Sequence, residues 1–148
     1  MFNDADYDLL AERFMTGGCH ALALKVAEKT GWDMVAVWFH KGRRLEIGHV
    51  MVIHPDTEIE DDFDLDQGVF LDIGGVRDLP DILDDLEFDS EEEKVSLLRV
   101  DAERIHKLTK ERQPHRKLPD LTEELLATAD ETADRLLAAI GHSPGLRR

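Results

Sequence analysis

The chain has 148 residues, 42% of them hydrophobic, which is enough for one domain with a buried core but not for two. Lys and Arg number 18 against 33 Asp and Glu, a net charge of −15 that works against nucleic acid and anionic membranes as partners. A single cysteine excludes an internal disulfide framework and suits a reducing, cytoplasmic compartment, no early apolar run has the flanks of a signal peptide, and no stretch approaches the ~20 apolar residues of a membrane span.

In chain order, Asp4 to Met15 reads as an amphipathic helix, with Tyr7, Leu10, Ala11 and Phe14 on one face. Thr16-Gly17-Gly18 breaks it before a second helix, which starts at Cys19, runs to about Lys29 and is closed by Gly31 as a C′ residue. Met34 to His40, rich in Val, Trp and Phe, is a buried strand. Lys41 to Arg44 is a turn, and Gly48 to Ile53 is a second strand, ended by His54-Pro55-Asp56. Gly68 to Ile73 is a third strand, ended by Gly74-Gly75. Asp78 to Leu86 reads as a short acidic helix beginning near Pro80, and Val95 to Val100 as a fourth strand. Asp101 caps a helix containing Ala102, Ile105 and Leu108. A polar linker from Gln113 to Pro119 follows. The last helix carries Leu121, Leu125, Leu126, Ala129, Ala133, Leu136, Leu137 and Ile140 in one stripe and stops at Gly141, leaving His142 to Arg148 as a flexible tail. This order predicts one α+β domain over residues 1–141, with N-terminal helices packed on a three- to four-stranded antiparallel sheet and helices again at the C-terminal end.

The charge is concentrated. Between Asp56 and Glu93 there are seventeen acidic residues and one base, Arg77. Such a segment serves either as a solvated face that keeps the protein soluble or as a surface for a basic protein partner.

The chemistry centres on Thr16-Gly17-Gly18-Cys19-His20. A cysteine at the start of a helix meets unpaired N–H groups and roughly half a positive charge. Both favour the thiolate, so the thiol titrates below its free value of about 8.5. The N–H groups of Gly17, Gly18 and Cys19 are placed to face a developing oxyanion, and the glycines leave room for a substrate. Thr16, His20 and Trp38 are candidates for lining the pocket. A small apolar core residue is the plainer use of a cysteine.

His49 opens the second strand, where alternation puts it on a face with Met51 and Ile53, opposite Val50 and Val52. Asp72 sits in Val69-Phe70-Leu71-Asp72-Ile73, where a buried charge needs a partner. If these two strands pair, the carboxylate and the imidazole lie side by side. The carboxylate then fixes the tautomer of His49, and His49 takes the proton of Cys19 from a facing helix.

Gly18-Cys19-His20-Ala21-Leu22-Ala23, Gly48-His49-Val50-Met51-Val52 and Phe70-Leu71-Asp72-Ile73-Gly74-Gly75 together resemble the core of the papain-like cysteine protease superfamily, in particular its transglutaminase-like, NlpC/P60-like and papain-fold toxin members. The resemblance covers about residues 16–75. It implies attack on an amide or acyl carbonyl, with Cys19 as nucleophile, His49 as base and then acid, and Asp72 as the orienting carboxylate. The substrate implied is a peptide or protein amide, and no cofactor is implied. The pattern departs from its relatives in having Gly-Cys-His at the nucleophile and no glutamine upstream of it.

Two metal readings are set aside. Asp62-x-Asp64-x-Asp66 lacks the glycine and the twelfth-position Glu of a calcium loop. Cys19, His20, His49 and His54 lack the spacing of zinc ligands. No glycine-rich phosphate loop and no basic stripe for nucleic acid is present. The sequence therefore predicts a thiol hydrolase or acyl-transfer enzyme, a peptidase or deamidase. The alternative is a non-enzymatic acidic protein on the same scaffold, an inhibitor or a mimic of nucleic-acid charge.

Overall fold

A computed structural model describes residues 14, 18–41, 44–55, 68–86, 94–110 and 121–140. The expected first helix (apart from Phe14, which is helical and buried), Thr16 and Gly17, most of the acidic excursion with its Asp62-Asp64-Asp66 pattern, the 113–119 linker and the 142–148 tail lie outside them. The elements are α1 (Cys19–Thr30), β1 (Met34–Lys41), β2 (Arg44–Ile53), β3 (Val69–Asp72), β4 (Gly75–Asp78), α2 (Leu79–Asp85), β5 (Lys94–Val100), α3 (Ala102–Lys110) and α4 (Glu123–Ala139).

The class is α+β, and among the described residues the sheet has five antiparallel strands rather than three or four, in the order β4-β3-β2-β1-β5. The strand beyond the expected set is β4. Its sequence, Gly-Val-Arg-Asp, is short and half polar, so it carries no buried-strand signature. Gly74-Gly75 does not end the sheet but turns it: Gly75 has φ +96°, a conformation open to glycine, and β4 folds straight back on β3.

β1 is an interior strand, paired with β2 on one side and β5 on the other and covered on both faces, which explains its unbroken apolar run. Met34, Ala36 and Trp38 face one core, with Val50 and Val52 of β2 and Leu71 of β3. Val35, Val37 and Phe39 face another, with Met51, Ile53 and Phe70. The first core lies under α1, α3 and α4, through residues such as Leu22, Val26, Ile105, Leu108, Ala133 and Leu137. The second is covered by α2 through Leu79 and Ile82. Helices thus lie on both faces of the sheet.

Local signals set the helix ends. Gly31 is left-handed at φ 80°, and its N–H donates to Ala27 O at 2.7 Å, closing α1. Asp78 caps α2 through Asp81 N–H, Asp101 caps α3 through Arg104 N–H, and Thr122 caps α4 through Leu125 N–H. Lys29, in the last turn of α1, reaches Asp130 and Asp134 of α4 at 2.9 Å each and pins the two helices side by side. Among the described residues, no helix is long and apolar enough to cross a membrane.

Candidate functional site

β2 and β3 pair at only two positions, Val52↔Leu71 and Ile53↔Phe70. Ile53 N–H donates to Asp33 O on the β1 side, so alternate residues, Val50 and Val52, direct theirs toward β3. β3 ends at Asp72 and turns away, which leaves Val50 N–H past the last rung of the ladder. Cys19 Sγ accepts that N–H at 3.3 Å. The thiol therefore stands in the plane of the sheet, at the open edge of β2, with the start of α1 behind it.

This position resolves a difficulty raised by strand alternation. Val50 faces α1, while His49 is paired with Val37 and belongs to the opposite face. A thiol above the sheet would be out of its reach. A thiol in the sheet plane, where β2 and β3 part, is reached from either face. Gly48 is the extra residue of a bulge: His49 pairs with Val37 and Ile47 with Trp38, and Gly48 has no partner. A Cβ at Gly48 would lie 2.1 Å from Phe39 Cε2, so only glycine fits beside that ring.

His49 and Asp72 come together as the spacing predicts. Nε2 of His49 lies 3.0 Å from Oδ2 of Asp72, with both side chains buried. With Nε2 occupied, Nδ1 is the nitrogen left for Cys19, and it has no hydrogen-bond partner of ordinary geometry. The thiol and the imidazole are close enough to interact through charge and hydrogen bonding, although Nδ1 makes no hydrogen bond of ordinary geometry. Such looseness is common in a site without its substrate.

Burial alone would push the Cys19 thiol up. Hydrogen bonding from His20 and His49, together with their charge, outweighs it and brings the thiol down to about 6. Burial likewise disfavours the imidazolium of His49, but the Asp72 carboxylate and the Cys19 sulfur hold it at about 9. Asp72 stays below the ordinary carboxylate range: burial opposes ionisation, while His49 and then Arg77 more than compensate. The arrangement is a thiolate–imidazolium pair backed by a carboxylate. No acidic residue occupies the first turn of α1, so nothing there competes with the thiolate for the helix N-terminus.

Gly18 is the residue before α1, and its carbonyl accepts the first intrahelical bond, from Ala21 N–H at 3.0 Å. The N–H of Cys19 precedes that bond and is unused within the helix, as an oxyanion donor must be. A small cavity of about 10 Å³, room for about one water and partly open to solvent, adjoins the thiol and is lined by Phe14, Leu22, Ala23, Val26, Val50, Met51 and Leu71, with Cys19 and Asp72 also in its wall. His20 and Trp38 do not line it. His20 is fully buried beside the thiol, and Trp38 packs in the core under α1.

No protein-family model, curated protein or solved structure matches the chain.

Sequence reasoning missed two partners of this site. One is the Val50 N–H on the thiol, which depends on where the β3 ladder stops and has no sequence signature. The other is Arg77. Its Nη2 and Nε reach Asp72 Oδ2 and Oδ1 at 2.7 and 3.2 Å, and Nη1 bonds Asp85 on α2. A lone base among seventeen acids was the available signal. Among the described residues, no group of three His, Cys, Asp or Glu side chains is arranged to hold a metal ion.

Proposed function

We propose that this protein is a thiol enzyme that cleaves or transfers an acyl group from an amide, with Cys19 as nucleophile. The observation that carries the reading is the meeting of Cys19, His49 and Asp72, from a helix start and two strands, with the thiol drawn down to about 6 and the imidazole held up to about 9. Those three residues are also the ones that carry the resemblance to the papain-like superfamily. A buried structural cysteine has no need of a charged imidazole beside it.

In this reading the Cys19 thiolate attacks the carbonyl carbon and a C–S bond forms. The carbonyl oxygen becomes an oxyanion facing the N–H groups of Cys19 and Gly18. The C–N bond then breaks, and the imidazolium of His49 gives its proton to the departing amine. Water, or an amine in a transfer reaction, attacks the resulting thioester. His49 removes its proton, and the thiolate leaves. Asp72 keeps Nε2 engaged and Nδ1 toward the sulfur throughout. The wall beside the thiol is apolar apart from Cys19 and Asp72, but its space is that of about one water, so an uncharged acyl group reaches the sulfur only when that wall opens. A reducing compartment such as the cytoplasm keeps the thiol available.

Alkylation by iodoacetamide tests the nucleophile. Cys19 in the folded protein should react readily near pH 6, where an ordinary thiol is almost fully protonated, and His49→Ala should slow the reaction at least tenfold there. An unreactive natural chain at that pH would refute the reading. Amide substrates with uncharged acyl groups then test turnover, with Cys19→Ser as the blank.

A further inference from the structure

A carboxylate that orients a histidine must itself be held. We propose that Arg77 is a positioning residue for this site: its guanidinium fork sets the Asp72 carboxylate in the orientation that keeps Oδ2 on His49 Nε2. The inference rests on the thiol-enzyme reading and adds to it a residue that the sequence pattern does not mark.

The hairpin builds the contact. Arg77 pairs with Phe70 across β3 and β4, and Asp72 is two residues along from Phe70 on the same face. The two side chains are diagonal neighbours, within reach for a side chain as long as arginine. Nε donates to Oδ1 and Nη2 to Oδ2, so the fork spans both oxygens. Gly74 N–H donates to Oδ1 at 2.8 Å and fixes the same end. Oδ2 is left pointing at His49, 3.0 Å away. The third guanidinium nitrogen is anchored by Asp85 on α2.

The chain also makes room for this arginine. A Cβ at Gly74 would lie 2.6 Å from both Cζ and Nε of Arg77. The backbone at Gly74 is not left-handed, so what a side chain there would disturb is the guanidinium, which would have to move, and not the turn. The only base in a stretch of seventeen acids spends two of its nitrogens on the buried carboxylate. The charged and titratable groups around Asp72 are His49 from β2, Cys19 and His20 from α1, Arg77 from β4 and, behind Arg77, Asp85 from α2.

The decisive measurement is the pH profile of Cys19 alkylation in folded protein, with thermal melting run beside it. A misoriented Asp72 stabilises the imidazolium less, and the thiolate loses its counter-charge. Arg77→Gln is therefore expected to move the acid limb of the profile up by about one pH unit, a roughly fivefold loss of rate at pH 6. Arg77→Lys keeps the charge but not the fork and should move it in the same direction. Gly74→Ala keeps Arg77 but drives the guanidinium off Asp72, and should do likewise. A lowered melting temperature with an unmoved limb in these variants would assign Arg77 to structure alone and overturn the proposal. So would an Arg77→Lys profile equal to that of the natural chain beside a shifted Arg77→Gln. If Arg77→Gln does not fold, Arg77→Lys and Gly74→Ala decide by the same criteria. A natural chain unreactive near pH 6 is a different result, and it removes the thiol-enzyme reading itself.

Discussion

Cys19→Ser is expected to give this protein a pH-dependent stability that the natural site conceals. In the fold the thiol titrates at about 6 and His49 at about 9, against ordinary values of 9.0 and 6.5. The owners exchange, but the two values barely change. Taken singly, His49 is raised, so its contribution is complete below pH 6.5 and is lost as pH rises through about 9. Cys19 is lowered, so its contribution is complete above pH 9.0 and is lost as pH falls through about 6. Between these limits the folded state carries the proton on His49 and the unfolded state carries it on Cys19. Equal numbers of protons are bound, and the pair adds no slope to stability against pH. Serine removes the compensating proton while keeping an acceptor for Val50 N–H. His49 remains raised by Asp72, though less than before, because part of its shift comes from the sulfur. Relative to the natural chain, stability should then fall above pH 6.5 with a limiting slope of about 1.4 kcal/mol per pH unit. The full shift to about 9 sets a ceiling of about 3 kcal/mol, and about 2 kcal/mol is expected. Urea unfolding of both proteins between pH 6 and 9, followed by the fluorescence of Trp32 and Trp38, measures the difference. A stability difference that stays constant across that range would mean that His49 is not held protonated, and the ion-pair description would fail.

Other perturbations have defined outcomes. Asp72→Asn leaves the buried His49 and the partly buried Arg77 facing a neutral amide and should cost about 3 kcal/mol in urea unfolding, while moving the alkylation limb of Cys19 upward. Gly48→Ala places a methyl group against the Phe39 ring and should lower stability by about 1–3 kcal/mol, with a shift in thiol reactivity because His49 is the next residue. Thr122→Ala removes the cap on α4 and should cost about 1 kcal/mol in thermal melting, with the alkylation rate unchanged.

What the sequence disclosed follows from which interactions are local. Gly31, Asp101 and the Leu121–Ile140 stripe act within a few residues of themselves, and each does in the structure what its position predicts. Cys19, His49 and Asp72 were legible because a helix start and two short strands can be read in order, and His49 with Asp72 needed only that the strands pair. The long-range terms were hidden. Alternation alone sets His49 on the face away from α1, and only the early end of the β2–β3 ladder brings the thiol into its reach. β4 escaped notice because an edge strand of four residues has half-exposed positions and no core to announce it. Arg77 went unassigned with it, since its role exists only once the hairpin folds back.

The two-position seam between β2 and β3 has a consequence for motion. β1 pairs with β2 and β5 along most of its length, so these strands open only with the whole domain. The β3–β4 hairpin is stitched to itself at four positions and to β2 at two, while Phe70, Leu71 and Ile73 seat it in both cores, so the burial of those side chains rather than the strand ladder sets what its opening costs. That unit carries Asp72, Gly74 and Arg77 together, while Cys19, His49 and Val50 stay behind. Each excursion takes the carboxylate from His49 without disturbing the thiol's own backbone donor. Amide exchange at Leu71, compared with Val35 and Met51, would clock how often the hairpin opens and Asp72 leaves His49.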